Sequence, residues 1–291
     1  MSVDDEIRID NMPTIKCEER PELVGIVTKG LEKAYKILGI PEPKLVPTEI
    51  VFREVPSLGQ VDVLPTGIQI VCDPIFKTEN PEYPKVEVIL THEFGHIGLW
   101  GITGQERQPV TRLFDEGWAS VVEDAAGDDV ESIEQLEQKT KGEVRNGIVN
   151  HPEAYERCLE IDKPVTQEER PKYAEESTVG GAFLLWVRSK HGNQAMIELL
   201  KNTPWVAKRN DEKFESINLK EDWEHNDEYK ELVKKVETGE IKPDDFPQAA
   251  YDWERKQLSW AILKTTGMKD MNEVKGEFRR WVEDMEVRVE D

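Results

Sequence analysis

Residues 85–100 read Lys85-Val-Glu-Val-Ile-Leu-Thr-His-Glu-Phe-Gly-His-Ile-Gly-Leu-Trp100, a stretch that contains the pattern His-Glu-x-x-His. It has no proline, and its apolar residues recur at helical spacing, so it predicts a helix. Two histidines four residues apart project from the same face of a helix, one turn above the other. His92 and His96 are therefore candidate ligands of one metal ion, and Glu93 lies beside them to accept a proton from water.

The ends and the buried face of this helix follow from the same stretch. Pro84 suits a first helical turn, and Gly101 or Gly104 suits the end of a helix. Both histidines are expected to face the interior, because they belong to a predicted buried stripe made of Val88, Ile89, His92, His96 and Leu99.

A glutamate follows at a distance that suits a third ligand. Glu116 lies twenty positions after His96, and Pro109 can open a helix that includes it. The periodicity places Glu116 on one side of that helix, with Leu113, Gly117 and Ser120. A carboxylate on a core-facing side is costly unless it is paired or bound to a metal.

These three side chains predict one zinc ion with an open fourth position for water, which is the arrangement of a catalytic site. Structural zinc sites are usually closed by four protein ligands rich in cysteine. This chain has no Cys-x-x-Cys pair, so a purely structural site is disfavoured. The predicted ligands are His92, His96 and Glu116.

Together the two motifs resemble the gluzincin metallopeptidases, the thermolysin-like and peptidase-MA-like group. That group combines His-Glu-x-x-His with a later glutamate, which is commonly followed by glycine, an aromatic residue and alanine. The second motif here is Glu116-Gly-Trp-Ala119. The resemblance, which is closest over residues 45–195, implies His92, His96 and Glu116 as the zinc ligands and Glu93 as the general base.

The resemblance implies an α+β, zincin-like fold in two lobes. Residues 1–130 would form the N-terminal lobe, with a small mixed sheet and the active-site helix, and residues 131–291 a mainly α-helical C-terminal lobe. Residues 203–247 have no counterpart in the family and are expected to form a cap over the cleft or a surface insertion. The helix expected at residues 178–192 is similar to one that packs behind the site in these proteins.

An amphipathic helix and three β-like stretches come before the metal helix. The helix covers residues 23–38 and is stopped by Gly39, and the stretches are residues 50–53, 60–64 and 67–72. In relatives, the sheet edge beside the metal helix pairs with extended substrate backbone. Residues 60–64 or residues 67–71 would be that edge here.

Departures from the family pattern argue against one type of peptidase activity. They also leave open which residues support the metal ligands and which residue stabilises the oxyanion. The segment with which aminopeptidases hold a free substrate amine is absent, so aminopeptidase activity is not supported. Ser120 stands where thermolysin relatives have an aspartate, and Asp115 or Asp124 is expected to support the metal ligands instead. The group that stabilises the oxyanion has six candidates, which are Tyr173, Ser177, Thr178, His151, His191 and His225.

The function implied by the resemblance is that of a zinc metallopeptidase. It would hydrolyse peptide bonds by Glu93-assisted attack of zinc-bound water, as an endopeptidase rather than an aminopeptidase. Two alternatives remain open. One is a catalytically silent metal-binding module of the same fold with a regulatory or binding role, and the other is a zinc hydrolase of a non-peptide amide or ester.

Composition limits the partners. The chain has 291 residues and a net charge of −22, which disfavours binding to nucleic acids and anionic membranes. The partner that the resemblance implies is a peptide or protein substrate. No apolar run approaches the roughly eighteen residues of a membrane-spanning helix. Three scattered cysteines fit reduced thiols, so we expect a cytoplasmic protein, or a secreted one if a leader was removed. Oligomeric state and substrate sequence stay open.

Overall fold

The structure is a computed structural model that describes residues 15–41, 48–53, 61–63, 69–77, 85–103, 111–163, 175–203, 226–242 and 245–284. The chain divides into two compact units. The first comprises residues 1–107 and 122–131, and the second comprises residues 108–121 and 132–291. The expected lobe boundary at residues 130 and 131 stays a prediction.

The described residues form an α+β fold in which helices predominate, as the sequence predicts. The strands are β1 (Ile15–Lys16), β2 (Thr48–Phe52), β3 (Val61–Val63) and β4 (Gln69–Cys72). A short 3-10 helix covers Pro74–Lys77. The α-helices are α1 (Pro21–Leu38), α2 (Val86–Thr103), α3 (Arg112–Ala126), α4 (Ile133–Asn150), α5 (Pro152–Cys158), α6 (Glu176–His191), α7 (Asn193–Asn202), α8 (Asn226–Glu237), α9 (Phe246–Thr266) and α10 (Met271–Glu283). None of these helices combines the length and apolar content that crossing a membrane requires.

The first unit contains a mixed sheet with the strand order β1-β2-β4-β3. Strands β1, β2 and β4 are parallel, and β3 runs antiparallel to β4. Alternate residues of β2 are buried, which gives the sheet one apolar face that includes Ile50, Phe52, Ile70 and Cys72. The expected mixed sheet is confirmed.

Strand β3 lies at the sheet edge beside α2, whereas β4 lies between β2 and β3. Of the two alternatives for the edge strand, the one at residues 60–64 therefore agrees with the described part of the sheet. The alternative at residues 67–71 is wrong, because β4 is hydrogen-bonded on both sides.

Helix α1 has the expected amphipathic pattern. Its buried residues recur three or four positions apart, so they form one continuous stripe. The helix ends at Gly39, where φ is 65° and the backbone N–H donates to the carbonyl oxygens of Lys36 and Tyr35. A left-handed residue at this place favours glycine, which has no Cβ to clash.

The second unit is built from helices around an aromatic core, and its described residues contain no strand. Phe183 on α6 stacks on Phe114 of α3, with ring centroids 5.7 Å apart. The same ring contacts Trp186 and the edge of Phe278 on α10. The predicted helical character of the C-terminal part is confirmed for the described residues. Most of the expected cap, residues 204–225, lies outside them.

Candidate metal centre

Helix α2 carries the His-Glu-x-x-His pattern, but its buried face differs from the expected stripe. Val88 is 39% exposed, and His92 and His96 are only half-buried. Of the expected stripe, Leu99 is fully buried, but most of the packed face is formed by Val86, Leu90, Phe94 and Ile97. The histidines therefore lie on the more open side of α2, where a ligand can reach them.

The bounds of α2 also differ from the prediction at one end. Gly101 lies inside the helix, which continues to Thr103. Apolar burial of the last turn, which includes Trp100, outweighs the weak helix propensity of one glycine. Pro84, Gly104 and Pro109, the other expected boundary residues, lie outside the described residues.

The structure brings the three predicted ligands together. The ligand atoms of His92, His96 and Glu116 all lie within 4.8 Å of one another, and each side chain is half-buried. The two imidazole rings, one turn apart on α2, have centroids 5.0 Å apart and are nearly perpendicular. Among the described residues, this is the group of histidine, cysteine and acidic side chains whose geometry can hold a metal ion.

A fourth residue, absent from the sequence prediction, supports the first ligand. Glu123 lies two turns after Glu116 on α3, and its Oε2 is 2.9 Å from Nδ1 of His92. An acceptor at Nδ1 fixes the tautomer of the ring, with the proton on Nδ1 and Nε2 as the metal-binding nitrogen. That Asp115 or Asp124 supports one of the metal ligands stays a prediction, in addition to this bond.

The sequence contained a usable indication of Glu123. Residues i and i+7 lie on the same face of a helix, two turns apart, so a carboxylate seven positions after Glu116 points toward the same neighbours. The family that the motifs resemble has its supporting aspartate four positions after the glutamate, which corresponds to Ser120 here. Helix α3 is long enough to present both glutamates, since it extends to Ala126.

Glu93, the expected general base, is half-buried next to His92 on α2. It is close enough to Cys72 on β4 for its charge to act on that thiol. Burial, followed by the charges of Cys17 and Glu93, raises the pKa of Cys72 to about 12. A buried thiol with a raised pKa is a poor nucleophile at neutral pH, because little of it is thiolate. Cys17, Cys72 and Cys158 are all buried, and none of them forms a disulfide.

The candidates for the oxyanion donor lie in different surroundings. Ser177 and Thr178 are half-buried in the first turn of α6, and Thr178 hydrogen-bonds the phenol of Tyr155. His151 is exposed at the junction of α4 and α5. The ring of His191 contacts Trp186 edge-on at 6.1 Å.

His191 is the last residue of α6 and is half-buried. Its buried Nε2 has no hydrogen-bond partner among the described residues. Burial, with a smaller effect of the Lys190 charge, lowers its pKa. Tyr173 and His225 lie outside the described residues. The identity of the oxyanion donor stays a prediction.

Comparisons of this chain with known protein families, with curated proteins and with solved structures return no match. The two motifs and the geometry of their side chains are thus the basis for assigning a function. Chemically, two imidazoles and a carboxylate form a donor set that divalent transition metals accept.

Proposed function

We propose that this protein is a zinc-dependent metallopeptidase with a zincin-like fold, and that it cleaves within peptide chains. The observation that carries the proposal is the convergence of His92, His96 and Glu116, with Glu93 on the same helix as both histidines. A site kept only for binding has no need of a base at that position. The absence of an amine-holding segment supports endopeptidase over aminopeptidase activity.

The donor set fits zinc in number and in type. Zinc binds histidine nitrogen and carboxylate oxygen at about 2.0–2.2 Å, so the ligand atoms of a tetrahedral site lie roughly 3.4 Å apart. The observed upper limit of 4.8 Å comes within reach of this distance through small side-chain rotations. Three protein ligands leave one position open, as catalytic zinc sites do.

A bound zinc ion would act as a Lewis acid, which lowers the pKa of a metal-bound water and polarises the carbonyl group of the substrate. The residues of the chain supply the remaining steps. Glu93 accepts the proton of the attacking water and passes it to the leaving amine. Glu123 holds the ring of His92 in one orientation through the 2.9 Å contact with Nδ1.

The edge position of β3 beside α2 supports a peptide as the substrate. An edge strand has unpaired backbone N–H and C=O groups on its outer side, and an extended peptide can pair with them. Such pairing uses hydrogen bonds to the substrate backbone, so it does not depend on the substrate side chains. Alternate pockets along the strand would then determine sequence preference.

The test is a comparison of Glu93→Gln with wild-type protein in metal content and peptide cleavage. We expect Glu93→Gln to bind one zinc ion and to lose nearly all turnover of a peptide library, because the amide cannot accept the proton. Loss of a general base typically costs 10²- to 10⁴-fold in rate. Zinc is measured by mass spectrometry of the metal, and cleavage by identification of the new peptide ends.

Glu87→Gln is the matched control, since it makes the same chemical change on the same helix near its first turn. It should keep both zinc and activity. A zinc-loaded Glu93→Gln variant that cleaves peptides at the wild-type rate would exclude Glu93 as the base. Wild-type protein that binds zinc stoichiometrically and cleaves no peptide would instead favour a silent metal-binding module.

A further inference from the structure

Helices α3 and α6 cross in direct backbone contact, next to the third ligand. A Cβ atom added to Gly117 of α3 would lie 2.5 Å from the carbonyl carbon of Gly180 and from the backbone nitrogen of Gly181. A Cβ added to Gly180 would overlap the carbonyl oxygen of Leu113. Only glycine at these positions permits helices to approach so closely.

The third glycine of the crossing is tight but does not overlap its neighbours. A Cβ on Gly181 would lie 3.0 Å from the carbonyl oxygen of Gly117 and 3.0 Å from Cγ2 of Val121. Ordinary contacts of Cβ atoms begin at 3.4 Å. An alanine at position 181 therefore requires α3 and α6 to separate by about 0.4 Å, the difference between 3.4 and 3.0 Å.

A separation of that size matters for the neighbouring residue. Glu116 precedes Gly117 in the same helix, so a displacement of α3 at Gly117 displaces the Glu116 backbone with it. Metal ligand distances are held to within about 0.2 Å, which is smaller than the displacement. The Glu116 side chain must then change its torsion angles to keep the carboxylate at the metal, and this costs free energy.

We propose that Gly180 and Gly181 are positioning residues for Glu116, a role that rests on the proposed metal site. Because Gly180 and Gly181 have no side chains, α6 can approach α3 closely at Gly117. This distance determines where the carboxylate of the neighbouring Glu116 lies. The stacked rings of Phe114 and Phe183 hold the same two helices together from the core. The close approach of α6 to α3 thus determines how strongly Glu116 can bind the metal.

The test is a double-mutant cycle on zinc affinity, measured by competition with a chromophoric chelator on the full chain. We expect Gly181→Ala to weaken zinc binding on the order of 10- to 100-fold, the range found when groups that orient metal ligands are changed. In the Glu116→Gln background the same substitution should cause no further loss. A purely structural effect would not depend on Glu116.

Two variants control for folding. Gly142→Ala makes the same change inside α4, where no atom lies within 4 Å of an added Cβ, and it should bind zinc as wild type does. If Gly181→Ala fails to fold by circular dichroism, the cycle is run with Gly181→Ala combined with Val121→Ala. That pair removes one of the two close contacts and keeps the contact with the Gly117 carbonyl.

Unchanged zinc affinity in a folded Gly181→Ala variant would overturn the positioning role. An equal loss in the wild-type and Glu116→Gln backgrounds would overturn it as well. The metal site fails separately: wild-type protein that binds no zinc, or Glu116→Gln with wild-type affinity, would exclude Glu116 as a ligand. In that case the positioning role falls with it.

Discussion

A metal-binding histidine uses one ring nitrogen for the metal, and the other nitrogen needs a partner that fixes the ring. Glu123 is that partner for His92, at 2.9 Å. The bond also makes the imidazole a better donor, because a carboxylate at Nδ1 increases the electron density of the ring. At the scale of single residues, the candidate metal site therefore includes a fourth side chain, which orients one of the three candidate ligands.

We expect Glu123→Ala to weaken zinc binding by about 10- to 100-fold, because it frees the ring of His92 to rotate and to change tautomer. Glu123→Gln keeps an acceptor oxygen but not the charge, so its loss should be smaller. Both are measured by chelator competition. Ser120→Ala is the control on the same helix and should bind zinc as wild type does. A larger loss in Ser120→Ala than in Glu123→Ala would exclude this role for Glu123.

At the scale of single elements, helix α2 shows why periodicity alone misplaced the buried face. Apolar residues occur all around this helix, so several stripes fit the helical period equally well. The tertiary contacts bury the stripe of Leu90, Phe94 and Ile97 and leave Val88 at the surface. Because that stripe is the buried one, His92 and His96 lie on the more open side of α2, where a ligand can reach them.

The N-cap residue of α10 accepts more and shorter hydrogen bonds than the N-cap residue of α4, so it should contribute more to the free energy of unfolding. Asp270 accepts hydrogen bonds from the backbone N–H groups of Asn272 and Glu273, both at 3.0 Å. Ser132, the cap of α4, accepts one from Gln135 at 3.4 Å. We expect Asp270→Ala to lower the free energy of unfolding by about 1 kcal/mol, and Ser132→Ala by less. Urea unfolding of both variants tests the order, and an equal cost would contradict it.

At the scale of the whole molecule, the pKa values of two glutamates in the second unit are shifted in opposite directions. Burial of its carboxyl group, and next the charge of Glu176, raise the pKa of Glu254 to about 8. The Lys275 ammonium, 2.8 Å away and followed by Lys163, lowers the pKa of Glu160 to about 2. Stability should therefore depend on pH through both groups, with opposite sign.

Glu254 keeps its proton in the folded chain up to about pH 8, whereas the unfolded chain loses it near 4.5. Its effect is to reduce stability as the pH rises between these values. Glu160 stays charged in the folded chain down to about pH 2, so its contribution is complete above 4.5 and is lost as the pH falls.

We expect Glu254→Gln to raise the free energy of unfolding at pH 8, with no change at pH 4, since one unit of pKa shift corresponds to about 1.4 kcal/mol. Glu160→Gln should lower it at pH 6 and leave it unchanged at pH 2. Urea unfolding with a chelator present, which removes the effect of bound metal, measures both. A Glu254→Gln variant that is less stable than wild type at pH 8 would contradict the assignment.

The sequence alone determined most of the elements and the three candidate metal ligands. Helical spacing put His92 and His96 one turn apart, and glycine at position 39 ended α1, because both effects act within a few residues of chain. The helical C-terminal part followed from similar local patterns, whereas the α+β class and the mixed sheet were implied by the family resemblance of the two motifs. The proposed peptidase function comes from the residues of these same motifs.

Tertiary structure decided what depends on contacts between distant segments. It selected Glu123 as the partner of His92, 31 positions away in the chain, and it buried one face of α2 rather than another. It also brought Gly117 into contact with Gly180 and Gly181, a packing that no local pattern predicts. These choices depend on which surfaces exclude water together, and that is a property of the folded chain as a whole.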